Sequence, residues 1–201
     1  MKKIYTIGYT SFNIHKFLEI LKQYKIGCVI DVRSVPKSTY YIDFDSNVLS
    51  KVLRQHNILY RNYAKEFGAR QDDYRFFPNK YLDFNLFCKS INFEEGINKI
   101  KKAHELNYVP CLMCAEKDPI NCHRAIMVGK GLADRGFEVL HIMADGLTTS
   151  QEELTLRLLD MYFPRRNQLS FFSEDNKSKE EFIEEVYRLR NKDIGFTLED
   201  E

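Results

Sequence analysis

The run Cys114-Ala115-Glu116-Lys117-Asp118-Pro119-Ile120-Asn121-Cys122-His123-Arg124 gathers two thiols, two carboxylates, an imidazole and a guanidinium into eleven residues. A thiolate can serve as nucleophile or metal ligand, a carboxylate or imidazole can move protons, and a guanidinium can hold an anion. The apolar run Tyr108 to Cys114 before it is strand-like, Asp118-Pro119 signals a turn, and Ala125 to Arg135 after it has helical spacing. Reactive groups at the carboxyl end of a strand, ahead of a helix, stand where open α/β sheets bind ligands.

Cys122 is the first candidate nucleophile. At a helix start its sulfur faces unpaired N–H groups and the positive end of the helix dipole. With His123 and Arg124 adjacent, its pKa is expected to fall below the ordinary value of about 8.5. The competing reading is a buried packing cysteine. Glu116 is the candidate acid or base and His123 the candidate proton shuttle. A cysteine-phosphatase loop does not fit, because Arg124 follows too soon and no glycine-rich loop is present. Cys111-x-x-Cys114 has the spacing of a zinc half-site. On a strand, however, residues three apart face opposite sides, so Cys111 is expected in the core. Cys114, Cys122 and His123 supply three ligands only if the loop folds back. No metal site is assigned, and the cofactor is left open.

Two further strand ends complete the expected site. Asp31 and Arg33 share a strand face and can project together from the sheet edge. They suit recognition of a hydroxyl and an anion, or an internal ion pair ordering the loop to Pro36; Arg33 could also pair with Glu116. Gly8-Tyr9-Thr10 closes the first strand, and Gly8 lets a ligand approach the backbone. No Gly-x-Gly-x-x-Gly follows that strand and no Gly-Lys-[Ser/Thr] occurs, which disfavours dinucleotide and P-loop nucleotide sites. Arg33 and Arg124 are the expected anion binders, with Cys114 at the rim. Tyr60 to Phe77 interleaves aromatics with cations, as base-stacking surfaces do, or forms a satellite core beneath a long loop. His141 reads as a satisfied core residue.

Alternating patterns supply the scaffold. Strands are expected at Lys3–Tyr9, Cys28–Val32, Ile58–Tyr60, Val109–Cys114 and, last, Phe137–Met143. Helices are expected after Asn13, closed by Gly27; from Ser46; over Tyr81–Lys89; over Phe93–Leu106 with Asn92 as cap; and from Ser150, where Glu153 completes a capping box, to Tyr162. This predicts an α/β fold, a Rossmann-like three-layer sandwich with a mainly parallel sheet. The domain is expected to span 1–164. Residues 165–201 would form a linker, with Ser173 to Ser178 its polar part, and an amphipathic helix bearing Phe182, Ile183, Val186 and Leu189.

The 201 residues carry 30 Lys+Arg against 29 Asp+Glu, so no global field calls for nucleic acid or a membrane. No apolar run reaches the roughly 20 residues of a membrane helix, and the start shows no signal-peptide layout. Five cysteines, an odd number, fit reduced thiols in a cytoplasmic protein.

The order of motifs resembles the domain of unknown function 488 family. The matching residues are Ile7-Gly8-Tyr9-Thr10, Asp31-Val32-Arg33-Ser34-Val35-Pro36, Phe67-Gly68-Ala69-Arg70, Leu112 to Pro119 and Cys122-His123-Arg124. The chain departs from the family at Tyr9, where histidine is common, and at Ala69, where glycine is common. The resemblance implies the fold and the place of the site, not a reaction. The expected function is an enzyme acting on a small anionic, nucleotide-like ligand. The alternatives are a nucleic-acid-binding module, or a metal-binding or redox protein built on Cys114, Cys122 and His123. The C-terminal helix is expected to pack on the main domain or on a partner chain, the second giving a homo-oligomer.

Overall fold

The computed structural model describes residues 2–164 and 178–198; residues 173–177 of the expected linker lie outside them. Six strands form one sheet: β1 (Lys2–Gly8), β2 (Cys28–Asp31), β3 (Leu59–Asn62), β4 (Pro110–Cys114), β5 (Phe137–Ile142) and β6 (Thr148–Ser150), in the order β3-β2-β4-β1-β5-β6. All neighbours are parallel except β5 and β6. β1 and β4 are central, and every residue of β4 is buried, as expected of a strand covered on both faces.

Helices cover both faces. On one side lie α1 (Ile14–Gln23) and α2 (Ser46–Gln55), whose Phe17, Ile20, Leu21, Leu49 and Leu53 pack against Ile7, Val29, Cys111 and Met113. On the other lie α3 (Ala64–Phe67), α4 (Phe84–Phe87), α5 (Ile91–Glu105), α6 (Lys130–Ala133), α7 (Gln151–Tyr162) and α8 (Lys179–Ile194). Cys114 belongs to this second core and Cys111 to the first, as alternation along a strand requires. The molecule is a three-layer α/β/α sandwich with a C-terminal helix.

Local chemistry explains the element ends. Asn13 caps α1 by accepting from the Lys16 N–H at 2.9 Å, and Ser150 with Glu153 forms the capping box of α7. Several expected boundaries move. Lys25, at φ 53°, ends α1 rather than Gly27, which instead enters the sheet by donating to the Val109 carbonyl. Asp45, not Ser46, caps α2, and Ser90, not Asn92, caps α5. The expected helix over Tyr81–Lys89 shrinks to the single turn α4. Phe137–Met143 is not the last strand, because Gly146 at φ +83° turns the chain back to form β6.

α8 packs on its own domain, with Val186 and Tyr187 buried and Phe182 and Ile183 against the same core. Asn191 secures it: its side chain accepts from the Phe84 N–H and donates to the Leu82 carbonyl, both at 2.8 Å. The stripe expected to offer a homo-oligomer surface is therefore largely spent within the chain. No described helix is long and apolar enough to cross a membrane.

Candidate functional site

The chain leaves the carboxyl end of β1 towards α1 on one face, and leaves the end of neighbouring β4 towards the opposite face. Such a divergence opens the crevice in which α/β sheets bind ligands. Here the loop after β4 folds back over it. The Thr10 hydroxyl donates to the Ala115 carbonyl at 2.6 Å. A Cβ on Gly8 would overlap the Glu116 carbonyl oxygen and come within 3.1 Å of Arg124 Nη2, so only glycine admits the loop this closely. Asp118 caps a short turn, Pro119–Asn121, and Cys122 then accepts through its carbonyl from the N–H groups of Ala125 and Ile126. Arg124–Gly129 continues as a π-helical stretch before α6, a rare geometry that recurs at functional sites.

Three reactive side chains converge under this loop. Cys114 Sγ, Cys122 Sγ and His123 lie with their donor atoms within 4.8 Å of one another. Cys114 Sγ is 4.0 Å from His123 Nδ1, while His123 Nε2 donates to the Val32 carbonyl at 3.0 Å. Cys122 Sγ accepts from the Arg124 N–H at 3.4 Å and lies 2.8 Å from Glu116 Oε2. Cys122 is 1 % exposed and Arg124 fully buried. Glu116 is exposed as a residue, with one carboxylate oxygen turned inward onto the thiol, so it forms the solvent side of the cluster.

The electrostatics separate the two thiols. Burial would raise Cys122, but its hydrogen bond to Cys114, the Arg124 charge and His123 outweigh burial and hold it well below the usual thiol range. Cys114 goes the other way, raised by that same hydrogen bond and by burial. Burial and the neighbouring Cys122 raise Glu116. Burial opposes the charging of His123, but Cys122 and Glu116 more than reverse this and raise it. The surroundings thus favour ionisation of Cys122 and oppose it at Cys114 and Glu116, while favouring the charged form of His123.

Arg124 completes the charge pattern. Its guanidinium donates to the carbonyls of Glu116 at 2.7 Å and Lys117 at 3.3 Å, but its Nε has no acceptor among the described residues. No described carboxylate makes an ion pair with it. A buried cation without an acid partner calls for an anion close by, and the Cys122 thiolate is one.

The second strand end behaves differently. Arg33 does not reach Glu116; it grips Asp31 through Nε at 2.9 Å and Nη2 at 2.6 Å, and Nη2 also donates to the Phe44 carbonyl. Asp31 is further held by the Tyr60 hydroxyl at 2.6 Å. The Arg33 guanidinium stacks over the Tyr9 ring at 5.0 Å, and Tyr9 lies on Phe44 with centroids 4.6 Å apart. Asp31 and Arg33 thus form the internal pair, though Arg33 Nη1 remains buried without an acceptor. Tyr60 was marked only as part of the aromatic stretch, and Val32 and Ser34, which accepts from the Arg70 N–H at 2.8 Å, only as part of the Asp31–Pro36 motif; nothing in their type or spacing gave these contacts.

The stretch from Tyr60 to Phe77 divides: its cations Arg61, Lys65, Arg70 and Arg75, with Tyr74, are exposed, while part of its aromatic content turns inward. Phe67 and Phe77 are core residues, Arg75 pairs with Asp73, and Arg70 lies over the Phe196 ring. His141 is satisfied in the core between the Thr6 hydroxyl at 2.8 Å and the Gln151 carbonyl oxygen at 2.9 Å.

Two clefts lie away from the cluster. One, of about 930 Å³, runs between α1 and α2; the other, of about 900 Å³, lies between α4, the π-helical stretch and α8. Neither is lined by Cys114, Glu116, Cys122 or His123. No curated protein and no solved structure matches the chain. The family model described as a domain of unknown function, DUF488, matches residues 13–130, more than half of the 201 residues and the whole stretch from Asp31 to Arg124, and the chain belongs to that family.

Proposed function

We propose that this protein is an enzyme that uses Cys122 as a thiolate nucleophile on a small anionic, nucleotide-like substrate. The observation that carries this reading is the charge arrangement: a buried thiol held between His123, the Arg124 N–H and Glu116 Oε2, beside a fully buried guanidinium with an unused N–H. A thiolate stabilised by a neighbouring cation is the attacking form of cysteine. Glu116, facing solvent beside the thiol, is placed to give a proton to a leaving group and, once ionised, to take one from water. His123, tied to the Val32 carbonyl, keeps its Nδ1 side towards the sulfurs and steadies the thiolate. The anion preference follows from the spare donors Arg33 Nη1 and Arg124 Nε, and the nucleotide-like class from the position at the divergence of β1 and β4.

The test is a binding screen of phosphorylated nucleosides and sugars against their uncharged counterparts, followed by turnover assays of the binders. Phosphorylated compounds should bind and the neutral ones should not. Cys122→Ser should keep binding and lose turnover. Equal binding of neutral and charged compounds, or full turnover by Cys122→Ser, would overturn the reading.

A further inference from the structure

We propose that Cys114 Sγ, Cys122 Sγ and His123 Nδ1 form a three-donor site for a soft divalent cation of the zinc class, and that a bound ion holds Cys122 as a ligand and so switches off its nucleophilic role. The metal site stands on its own geometry; the switch rests on the thiolate reading above.

A tetrahedral zinc ion has bonds of about 2.3 Å to sulfur and 2.0–2.1 Å to nitrogen, which sets neighbouring donors about 3.4–3.8 Å apart. The three donors here lie within 4.8 Å of one another, and Cys114 Sγ and His123 Nδ1 are 4.0 Å apart. Side-chain rotations that bring the donors up to about 1 Å closer give the tetrahedral spacing. Two sulfurs and an imidazole are a donor set that favours zinc over the hard, oxygen-seeking cations.

The surroundings of His123 match those of a metal-bound imidazole. Its Nε2 donates to a backbone carbonyl, which fixes the ring orientation and leaves Nδ1 as the inward donor. All three ligand residues are buried, so an ion there would be shielded from competing water. Cys111 takes no part, because it faces the other side of the sheet. The pairing is therefore Cys114 with the Cys122-His123 dipeptide, brought together by the loop that Gly8 and Thr10 hold down. Three protein donors leave a fourth position for water or an anion, the pattern of zinc sites that are not purely structural.

The experiment uses the reduced full-length protein with its thiols counted. Cobalt(II) is added first, because sulfur-bound tetrahedral cobalt has a ligand-field and charge-transfer spectrum that oxygen-bound cobalt lacks. Zinc then displaces it. In parallel, alkylation of Cys122 by iodoacetamide is timed by peptide mass spectrometry with and without zinc. With free zinc about tenfold above its Kd, the unliganded fraction, and with it the alkylation rate, should fall about tenfold. Cys111→Ser should leave the spectrum unchanged, and Cys114→Ser should lose it; the wild-type spectrum decides the matter even if Cys114→Ser fails to fold. Absence of a sulfur–cobalt spectrum, with Cys122 alkylated quickly and indifferently to zinc, would overturn the metal site and leave the thiol reading standing. A cobalt spectrum with Cys122 unreactive in the metal-free protein would uphold the site and overturn both the switch and the nucleophile.

Discussion

His123 Nε2 lies 3.0 Å from the Val32 carbonyl oxygen, and this one bond ties the loop after β4 to the end of β2. A carbonyl only accepts, so Nε2 carries the hydrogen and Nδ1 faces the sulfurs. Val32 stands between Asp31 and Arg33, so the imidazole is anchored one residue away from each member of that ion pair.

The thiol order is the most direct consequence. Cys122 is held low, while burial pushes Cys28 up to about 11 and Cys88 up to about 12, and raises Cys111 further. Iodoacetamide should modify Cys122 first, at a pH below about 8.5, where an ordinary thiol is mostly protonated. Mass-spectrometric timing across pH 6–9 (a range of roughly three units around the reference) checks this. Equal rates for Cys122 and Cys28 would make Cys122 a packing residue.

Gly8 sets the height of the site loop. Gly8→Ala would force its methyl group into the backbone carbonyl of Glu116 and towards the Arg124 guanidinium, which is buried and held by the Glu116 and Lys117 carbonyls. Overpacking of this kind typically costs about 1–3 kcal/mol and sometimes more. The variant should melt earlier and lose the fast alkylation of Cys122. If the melt falls while the alkylation rate stays, the loop is not held by this contact.

Much of this was legible in residue types and spacing. The strand ends, expected at Tyr9, Val32 and Cys114 and found at Gly8, Asp31 and Cys114, the caps at Asn13 and Ser150, and the split of Cys111 from Cys114 all follow from local rules. What was not legible depends on tertiary approach. Arg33 had two acids within reach on paper, and only the fold decides for Asp31. The π-helical stretch has ordinary helical spacing; its extra residue accompanies Gly129, where any side chain would meet Gln151 of α7. β6 has only three residues, and Ser150 ends it while capping α7, so one role masked the other.

Asp31 and Arg33 should behave as one unit. The Asp31 carboxylate is fully buried and Arg33 nearly so. Removing one member of such a pair leaves the other charge without its partner and costs about 3–5 kcal/mol. Asp31→Ala should therefore lower the urea midpoint sharply. Tyr60→Phe, which removes only a hydroxyl bond to the same carboxylate, should cost about 1 kcal/mol. Comparable losses from the two variants would show that the ion pair adds little.

His141 makes stability depend on pH. Burial first, and then the Arg124 charge, push its pKa down to about 3, against 6.5 for the free side chain. The unfolded chain takes up this proton below about pH 6.5 and the folded protein does not until about pH 3. The contribution is therefore complete above pH 6.5 and is lost progressively as pH falls towards 3, roughly 5 kcal/mol over the whole window and about 2 kcal/mol by pH 5. Urea midpoints at pH 7 and pH 5 measure the slope. In His141→Gln the slope should be shallower, and an unchanged slope would assign it to the carboxylates.

The C-terminal helix reaches the site more directly than its amphipathic stripe suggested. Arg190 of α8 donates from Nε to the Ile120 carbonyl at 2.8 Å and contacts the Asn121 side chain, two residues and one residue before Cys122. Arg157 of α7 pairs with Asp118 in the same turn at 2.8 Å. Tyr187 bonds Gln151, which bonds His141. Truncation after Pro164 would strip the Arg190 and Tyr187 contacts together with the buried Val186 and Asn191, leaving Arg157–Asp118 and Gln151–His141 in place, so it should lower the melting temperature and perturb the loop as well. The narrower variant separates these effects. Arg190→Gln leaves the apolar packing of α8 in place and removes one bond to the loop and a partly exposed contact, worth about 1–2 kcal/mol. Its melting temperature should move by a few degrees, while the alkylation rate of Cys122 should change severalfold, because the Pro119–Asn121 turn then loses its outer support. A change in melting temperature without any change in alkylation would confine α8 to a stabilising role.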